Sequence, residues 1–232
     1  MGECIDACIN AGLEMLKVNY KVVPIEQEKF GVFRIQAMDY RVSQYEVKEV
    51  GNLLVMSSKN SETMQMMSFV LTPYFKNLPL FSTDYMCMKE NGCFINEIYR
   101  LVSKEDECYK RYIEKFTENI EKHNQLSDMP VKPSWYDSLR SVSMAKATTP
   151  ANEQEILEVF TENLSTFIAM EKEMPILTEE EYQIKWQKTQ KYVEELVANG
   201  GVSTDVFKAI LGPEKTKEFF ETVFFASSRY KK

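Results

Sequence analysis

The chain has 232 residues, 44% of them hydrophobic and 27% charged, a balance that supplies a substantial core and excludes a disordered polypeptide. Its net charge of -7, with no basic run longer than Lys231-Lys232, leaves no concentrated cationic face for a nucleic acid. No window approaches the roughly eighteen apolar residues of a membrane span, and the N-terminus lacks the basic and apolar segments of a signal peptide, so a cytoplasmic protein is expected.

In chain order, residues 2–19 carry Ile5, Ile9, Leu13 and Leu16 at helical spacing. Residues 30–47 are rich in β-formers, with Phe33, Ile35 and Ala37 alternating against Arg34 and Gln36. Strands are expected at 51–58 and 63–73, joined by a turn at Lys59-Asn60-Ser61, then through LPLFSTDYMCMK and over 93–102. The short links between them predict an antiparallel meander. At Asp106 the period changes to a charged helix over 106–124, and after a proline-limited connection residues 138–148 form another strand. From residue 150 onward the pattern is helical: 153–172, 178–201 with Thr178 and Glu181 as a capping box, 203–212, and 213–226 opened by Pro213. One domain over residues 1–232 is expected, with a sheet in the first half and helices mainly in the second.

Several chemistries have no footing. No GxGxxG follows a strand, and no GxxxxGK[ST] occurs. The lone histidine, His123, sits in a polar segment without a nucleophile signature nearby. Cys4, Cys8, Cys87, Cys93 and Cys108 are an odd, scattered set that suggests neither a disulfide framework nor a metal site. Carboxylates set among apolar residues remain. Asp84 follows Leu78-Pro79-Leu80-Phe81, surroundings of low dielectric that raise a carboxyl pKa toward the value a general acid needs. Glu97 interrupts a strand, where alternation groups it with Cys93 and Ile95 against Phe94, Asn96 and Ile98.

The segment FVLTPYFKNLPLFSTDYM, followed by CFINEIYRL, resembles the signature of the ferredoxin-dependent bilin reductases: a strand, a proline turn, a Leu-Pro-hydrophobic-Phe run, an aspartate and a second strand. Pro133-Ser134-Trp135 before LRSVSMAKATTP, and the C-terminal WQKTQKYVEEL, STDVFKAILG and EFFETVFFA, resemble the family's later landmarks in the same order, so the likeness spans roughly residues 51–226. The resemblance implies an α/β fold, a three-layer α/β/α sandwich with a central antiparallel sheet and a linear tetrapyrrole between the sheet and the C-terminal helices. Heme-derived biliverdin is the usual substrate, and a related group acts on red chlorophyll catabolite. Family members hold no flavin or metal; they take single electrons from reduced ferredoxin, or here a flavodoxin-like donor, and protons from pocket acids.

Carried over residue by residue, only Asp84 matches, as the catalytic acid; Glu97, read from its place on the following strand, is the backup acid. Met67 stands where the phycocyanobilin-forming members have a histidine, and Asp205 is four residues from the position of their second aspartate. The expected substrate contacts are Met67, Phe81, Arg140, Val142 and Lys146, the last three placed on one strand face by alternation, with the cations set for the propionates. An acidic ferredoxin would meet Lys185, Lys188 and Lys191 on one helix and Arg229, Lys231 and Lys232 near the end. A monomer is expected. The alternative is a non-catalytic tetrapyrrole- or heme-binding protein that keeps the pocket without turnover.

Overall fold

Among the described residues, eight strands follow from the alternating half of the chain: β1 (Val22–Ile25), β2 (Val32–Ile35), β3 (Met38–Val47), β4 (Gly51–Ser58), β5 (Met64–Pro73), β6 (Leu80–Met88), β7 (Gly92–Tyr99) and β8 (Arg140–Thr148). The protein is described here by a computed structural model covering residues 3–35, 38–58 and 64–232. The strands form one sheet in the order β1-β3-β4-β5-β6-β7-β8, with β2 also paired to β3, and every pairing is antiparallel. The expected turn at Lys59-Asn60-Ser61 and the pair Gln36-Ala37 lie outside the described residues. β1 is a strand that the alternation pattern did not mark, because Pro24 lies in its middle. Proline is tolerated there because β1 is an edge strand.

Among the described residues there are six α-helices: α1 (Glu3–Asn19), α2 (Glu107–Lys122), α3 (Glu153–Glu173), α4 (Glu179–Asn199), α5 (Val202–Leu211) and α6 (Pro213–Phe219), the last running into a π-helical turn over Phe220–Phe224. Thr178 and Glu181 form the expected capping box on α4, and Gly200 ends that helix at φ 79, a left-handed conformation that favours glycine.

The period-2 alternation gives the sheet two buried faces. The first face presents Leu53, Val55, Phe69, Leu71, Phe81, Phe94 and Ile98 to α1, α2 and α3. α1 approaches closely because Gly12 lies over the rings of Phe69 and Phe160, where a β-carbon would come within 2.8 Å of Phe69. The second face presents Tyr40, Val42, Leu54, Met56, Val70, Leu80 and Tyr99 to α4, α5 and α6. The architecture is thus the expected α/β/α sandwich around an antiparallel sheet.

Several polar groups buried in these layers pair with one another. On the first face Asn119 Nδ2 donates to Asn163 Oδ1 (3.1 Å), Asn163 Nδ2 to Asn96 Oδ1 (3.0 Å) and Asn96 Nδ2 to Thr83 Oγ1 (2.6 Å), tying α2 and α3 to the sheet centre. On the second, Asn52 Nδ2 donates to the carbonyls of Val223 (3.0 Å) and Phe224 (3.1 Å), and Gln44 to that of Thr222 (3.2 Å), taking up carbonyls of the π-helical turn. The asparagine chain gives the first prediction. Asn163→Leu keeps the volume but orphans groups on Asn96 and Asn119, so urea unfolding should show a loss of about 2–4 kcal/mol, at about 1–3 kcal/mol for each unsatisfied group.

Candidate functional site

The pairing of β5, β6 and β7 decides which side chains meet. Asp84 on β6 lies opposite Ser68 on β5 and Ile95 on β7, and Ser82 lies opposite Glu97. Asp84, Ser68 and Glu97 therefore share the second face. Toward the far ends of β5–β8 the cover from α4–α6 thins: Asp84, Met64, Met66, Met86, Ile95 and Ala145 are half-buried, while Met88, Ser143 and Ala147 are exposed. The result is a partly open strip of the sheet face floored by methionines, with a carboxyl at its inner side. Methionine is flexible and polarizable, so such a floor adapts to a large apolar ligand.

Three influences set the proton affinity of Asp84. Burial raises it most, the charge of Glu97 raises it further, and the Ser68 hydroxyl, donating to Oδ1, lowers it; together they bring the carboxyl up to about 6. A carboxyl at that value is poised to give or take a proton near neutrality.

Glu97 is occupied differently. It is buried, its Oε2 accepts from the Tyr99 hydroxyl, Ser143 Oγ donates to Oε1 at 3.4 Å, and Arg140 Nε lies 2.8 Å from Oε1. Arg140 also pairs with Asp137 (3.2 Å) and lies over the Tyr136 ring at 4.9 Å. Tyr99 packs on Tyr192 of α4, with ring centroids 5.3 Å apart, and Tyr192 on Trp135 at 6.0 Å. Glu97 is therefore held by two hydroxyl donors and an ion pair with Arg140, and anchored to the helical cover.

The structure brings Asp84, Glu97 and Arg140 together and separates them from the other expected contacts. Met67, Phe81 and Val142 lie in the core of the first face, Phe81 packing on Phe167 with centroids 5.8 Å apart. Lys146 is buried on that same face, donating to the Leu126 carbonyl (3.1 Å) and Asp128 Oδ1 (2.6 Å). For Met67 and Phe81 the reason is strand parity: on β5 and β6 the residues sharing a face with Asp84 are even-numbered. For β8 it is a register shift at Ile98/Tyr99, which pairs Val142 with Ile98 but Arg140 with Tyr99. This irregularity turns Arg140 to the second face and breaks the alternation expected to unite it with Val142, Met144 and Lys146. Ser68, not Met67, stands across from Asp84. Pairing the two strands around their turn could have found it; matching one strand alone could not. Asp205 is exposed, its carboxylate lying against Gly200 at the start of α5, where a β-carbon on that glycine would stand 2.4 Å from Oδ1.

The expected cationic stripe is also divided. Lys185 is buried, its ammonium donating to the carbonyls of Leu78 (2.6 Å) and Leu101 (2.7 Å), because each three-residue step rotates the helix face by about 60° and this one reaches the core. Lys188 and Lys191 stay at the surface, where with Arg100, Glu105, Leu139, Tyr192 and Glu195 they line a cleft of about 360 Å³. Arg229 pairs with Glu46 (3.2 Å) and Lys232 with Glu179 (2.9 Å). Among the described residues no three His, Cys, Asp or Glu side chains are grouped to hold a metal, and no helix is long and apolar enough to cross a membrane.

The antiparallel sheet between two helical layers is a fold that this chain shares with a solved structure. The crystal structure of phytochromobilin synthase from tomato in complex with biliverdin matches with a TM-score of 0.77 over 97% of this chain and 84% of that one, at 14% sequence identity. No family model matches the sequence. No curated protein matches it at a significant level.

Asp84 provides a pH-dependent stability signature. Its folded value of about 6 exceeds the roughly 3.9 of an unfolded aspartate, so the folded chain binds this proton more tightly. The stability it contributes is full below about pH 4 and is lost as pH rises through about 6. Asp84→Asn does not titrate, so its melting temperature should gain on the parent's between about pH 4 and 7 and hold that gain above.

Proposed function

We propose that this chain reduces a linear tetrapyrrole of the biliverdin type, taking electrons one at a time from reduced ferredoxin or a flavodoxin-like donor and protons from its own pocket. The observation that carries this reading is Asp84, poised at about 6 on a methionine-lined sheet face in a fold shared with a biliverdin-binding protein. Saturating one double bond takes two electrons and two protons. Adding an electron to the conjugated system without a proton builds up negative charge, and an acid against the ligand lowers the cost of that radical. Asp84 is the proton donor. Glu97 acts through it, since its charge keeps the Asp84 proton bound, while the pairing with Arg140 and Tyr99 holds Glu97 in place. Arg140 is the cation this face offers a propionate.

A second reading, a tetrapyrrole- or heme-binding protein without turnover, is favoured by two specific features. Ser68, which cannot act as a neutral-pH acid, faces Asp84 where a second titrating group would sit, and Asp205 is turned to Gly200. Biliverdin with reduced ferredoxin, followed by visible absorption, separates the two: turnover supports the reductase, and a bound chromophore unchanged on reduction supports the carrier. In the reductase, Asp84→Asn keeps size and much of the hydrogen bonding but loses the proton. It should still bind biliverdin and slow by about 10²–10⁴-fold, the range for removing a general acid, and the parent rate in this variant would show that Asp84 is not the donor.

The electron donor is an acidic partner at the surface cations. Lys188, Lys191 and Arg100 around the α4 cleft are the candidates for its docking. Raising salt from roughly 0.01 M to 1 M shortens the reach of exposed charges from about 30 Å to about 3 Å. Ferredoxin-driven turnover should fall steeply over that range, and a salt-independent rate would exclude docking by charge.

A further inference from the structure

The strand registers assemble a sulfur cluster on the same methionine-lined face, and its sulfur atoms take no part in the proton transfer assigned to Asp84. β5 carries Met64-x-Met66 and β6 carries Met86-x-Met88, and alternation puts both side chains of each motif on one face. The antiparallel pairing sets Met64 opposite Met88 and Met66 opposite Met86, and β7 adds Cys93 opposite Met86. Four thioethers and one thiol thus occupy two neighbouring rows of the second face. Opposed side chains in a row have β-carbons about 5 Å apart, and the rows are about 7 Å apart along the strands. Met66, Met86 and Cys93 lie in a single row, one step outward from the Ser68–Asp84–Ile95 row. Met66 and Met86 are half-buried, Cys93 is buried and Met88 is exposed, so the cluster opens to solvent at its outer end.

We propose that this cluster is a binding site for a soft monovalent cation, Cu(I), held by Met66, Met86 and Cys93 with Met64 and Met88 as the outer thioethers. Thioether and thiolate donors select Cu(I) over the harder divalent ions, which seek imidazole and carboxylate oxygen. Methionine supports such a site without titration, because a thioether carries no proton to lose. Cys93 differs: its thiol gives up its proton as the metal–sulfur bond forms. The step balances as thiol plus Cu(I) giving the copper thiolate and one proton to solvent, with no change of oxidation state.

The test uses the full chain, kept anaerobic and reduced, titrated with Cu(I) against a chromophoric Cu(I) chelator, with proton release followed in weak buffer. One Cu(I) is expected per chain with one proton released, and X-ray absorption should report a first shell of sulfur alone. Met66→Leu/Met86→Leu conserves side-chain volume, and circular dichroism checks its fold. It should lose more than about 10-fold in affinity, the loss that disturbing even the surroundings of a metal ligand brings. Cys93→Ser should lose affinity and the proton release together. Cys87→Ser, altered on the opposite face of the sheet, should bind as the parent does. Parent affinity in the methionine double variant, loss of binding in Cys87→Ser, or nitrogen and oxygen neighbours in the absorption spectrum would each overturn the assignment.

Discussion

The register of β6 between β5 and β7 is the constraint on which the rest of the structure depends. It sets Ser68 opposite Asp84 opposite Ile95, and every other side-chain row follows two residues at a time. A slip of one residue would move Asp84 into the company of Phe160 and Phe167 and turn Phe81 toward the second face. The register is held from both sides. The asparagine chain from α2 through α3 ends on Asn96 and Thr83, which pair across β6 and β7, and Phe69 and Phe81 both pack on Phe160. Such a buried polar network is satisfied in one arrangement only, so it specifies the alignment as well as stabilising it.

The two faces of the sheet carry different duties. The first is filled by aromatic and branched side chains under three helices and behaves as a packed interior. The second is packed where α4, α5 and α6 cover it, around Leu54, Val70, Leu80 and Phe219, and opens toward the far ends of β5–β8. The open part holds soft side chains and one poised carboxyl, and the closed part holds the pairing of Glu97 with Arg140. A packed half thus fixes the charged pair, and the other half stays partly open.

Charge inside the second layer is handled by satisfying each group locally. Lys185 reaches two carbonyls at the ends of the Leu78 and Leu101 connections and so fastens α4 to the sheet, while burial lowers its ammonium to about 7. Arg140 reaches Glu97 only because the pairing shifts at Ile98/Tyr99, so a local irregularity at the edge of the sheet assigns a cation to the site. Tyr99, Tyr192 and Trp135 pack this pair against the helical cover and limit its access to water.

The sequence by itself determined the elements and one side chain of the site. Alternation marked six of the strands, the 3.6 period marked the helices, and the Thr178–Glu181 box marked where α4 starts, because each is a local signal carried by neighbouring residues. Asp84 was legible for the same reason, since its apolar neighbours are adjacent in the chain. Glu97 was legible as a carboxylate inside a strand, but its partners were not. Tertiary structure alone decided that Met67, Phe81, Val142 and Lys146 face away from Asp84, that Ser68 faces it, and that Arg140 joins Glu97. It also turned Lys185 inward, because one helix face drifts from solvent to core over three residues. Those outcomes depend on register, on a bulge and on helix rotation, which pair residues far apart in the chain and leave no trace in any one segment.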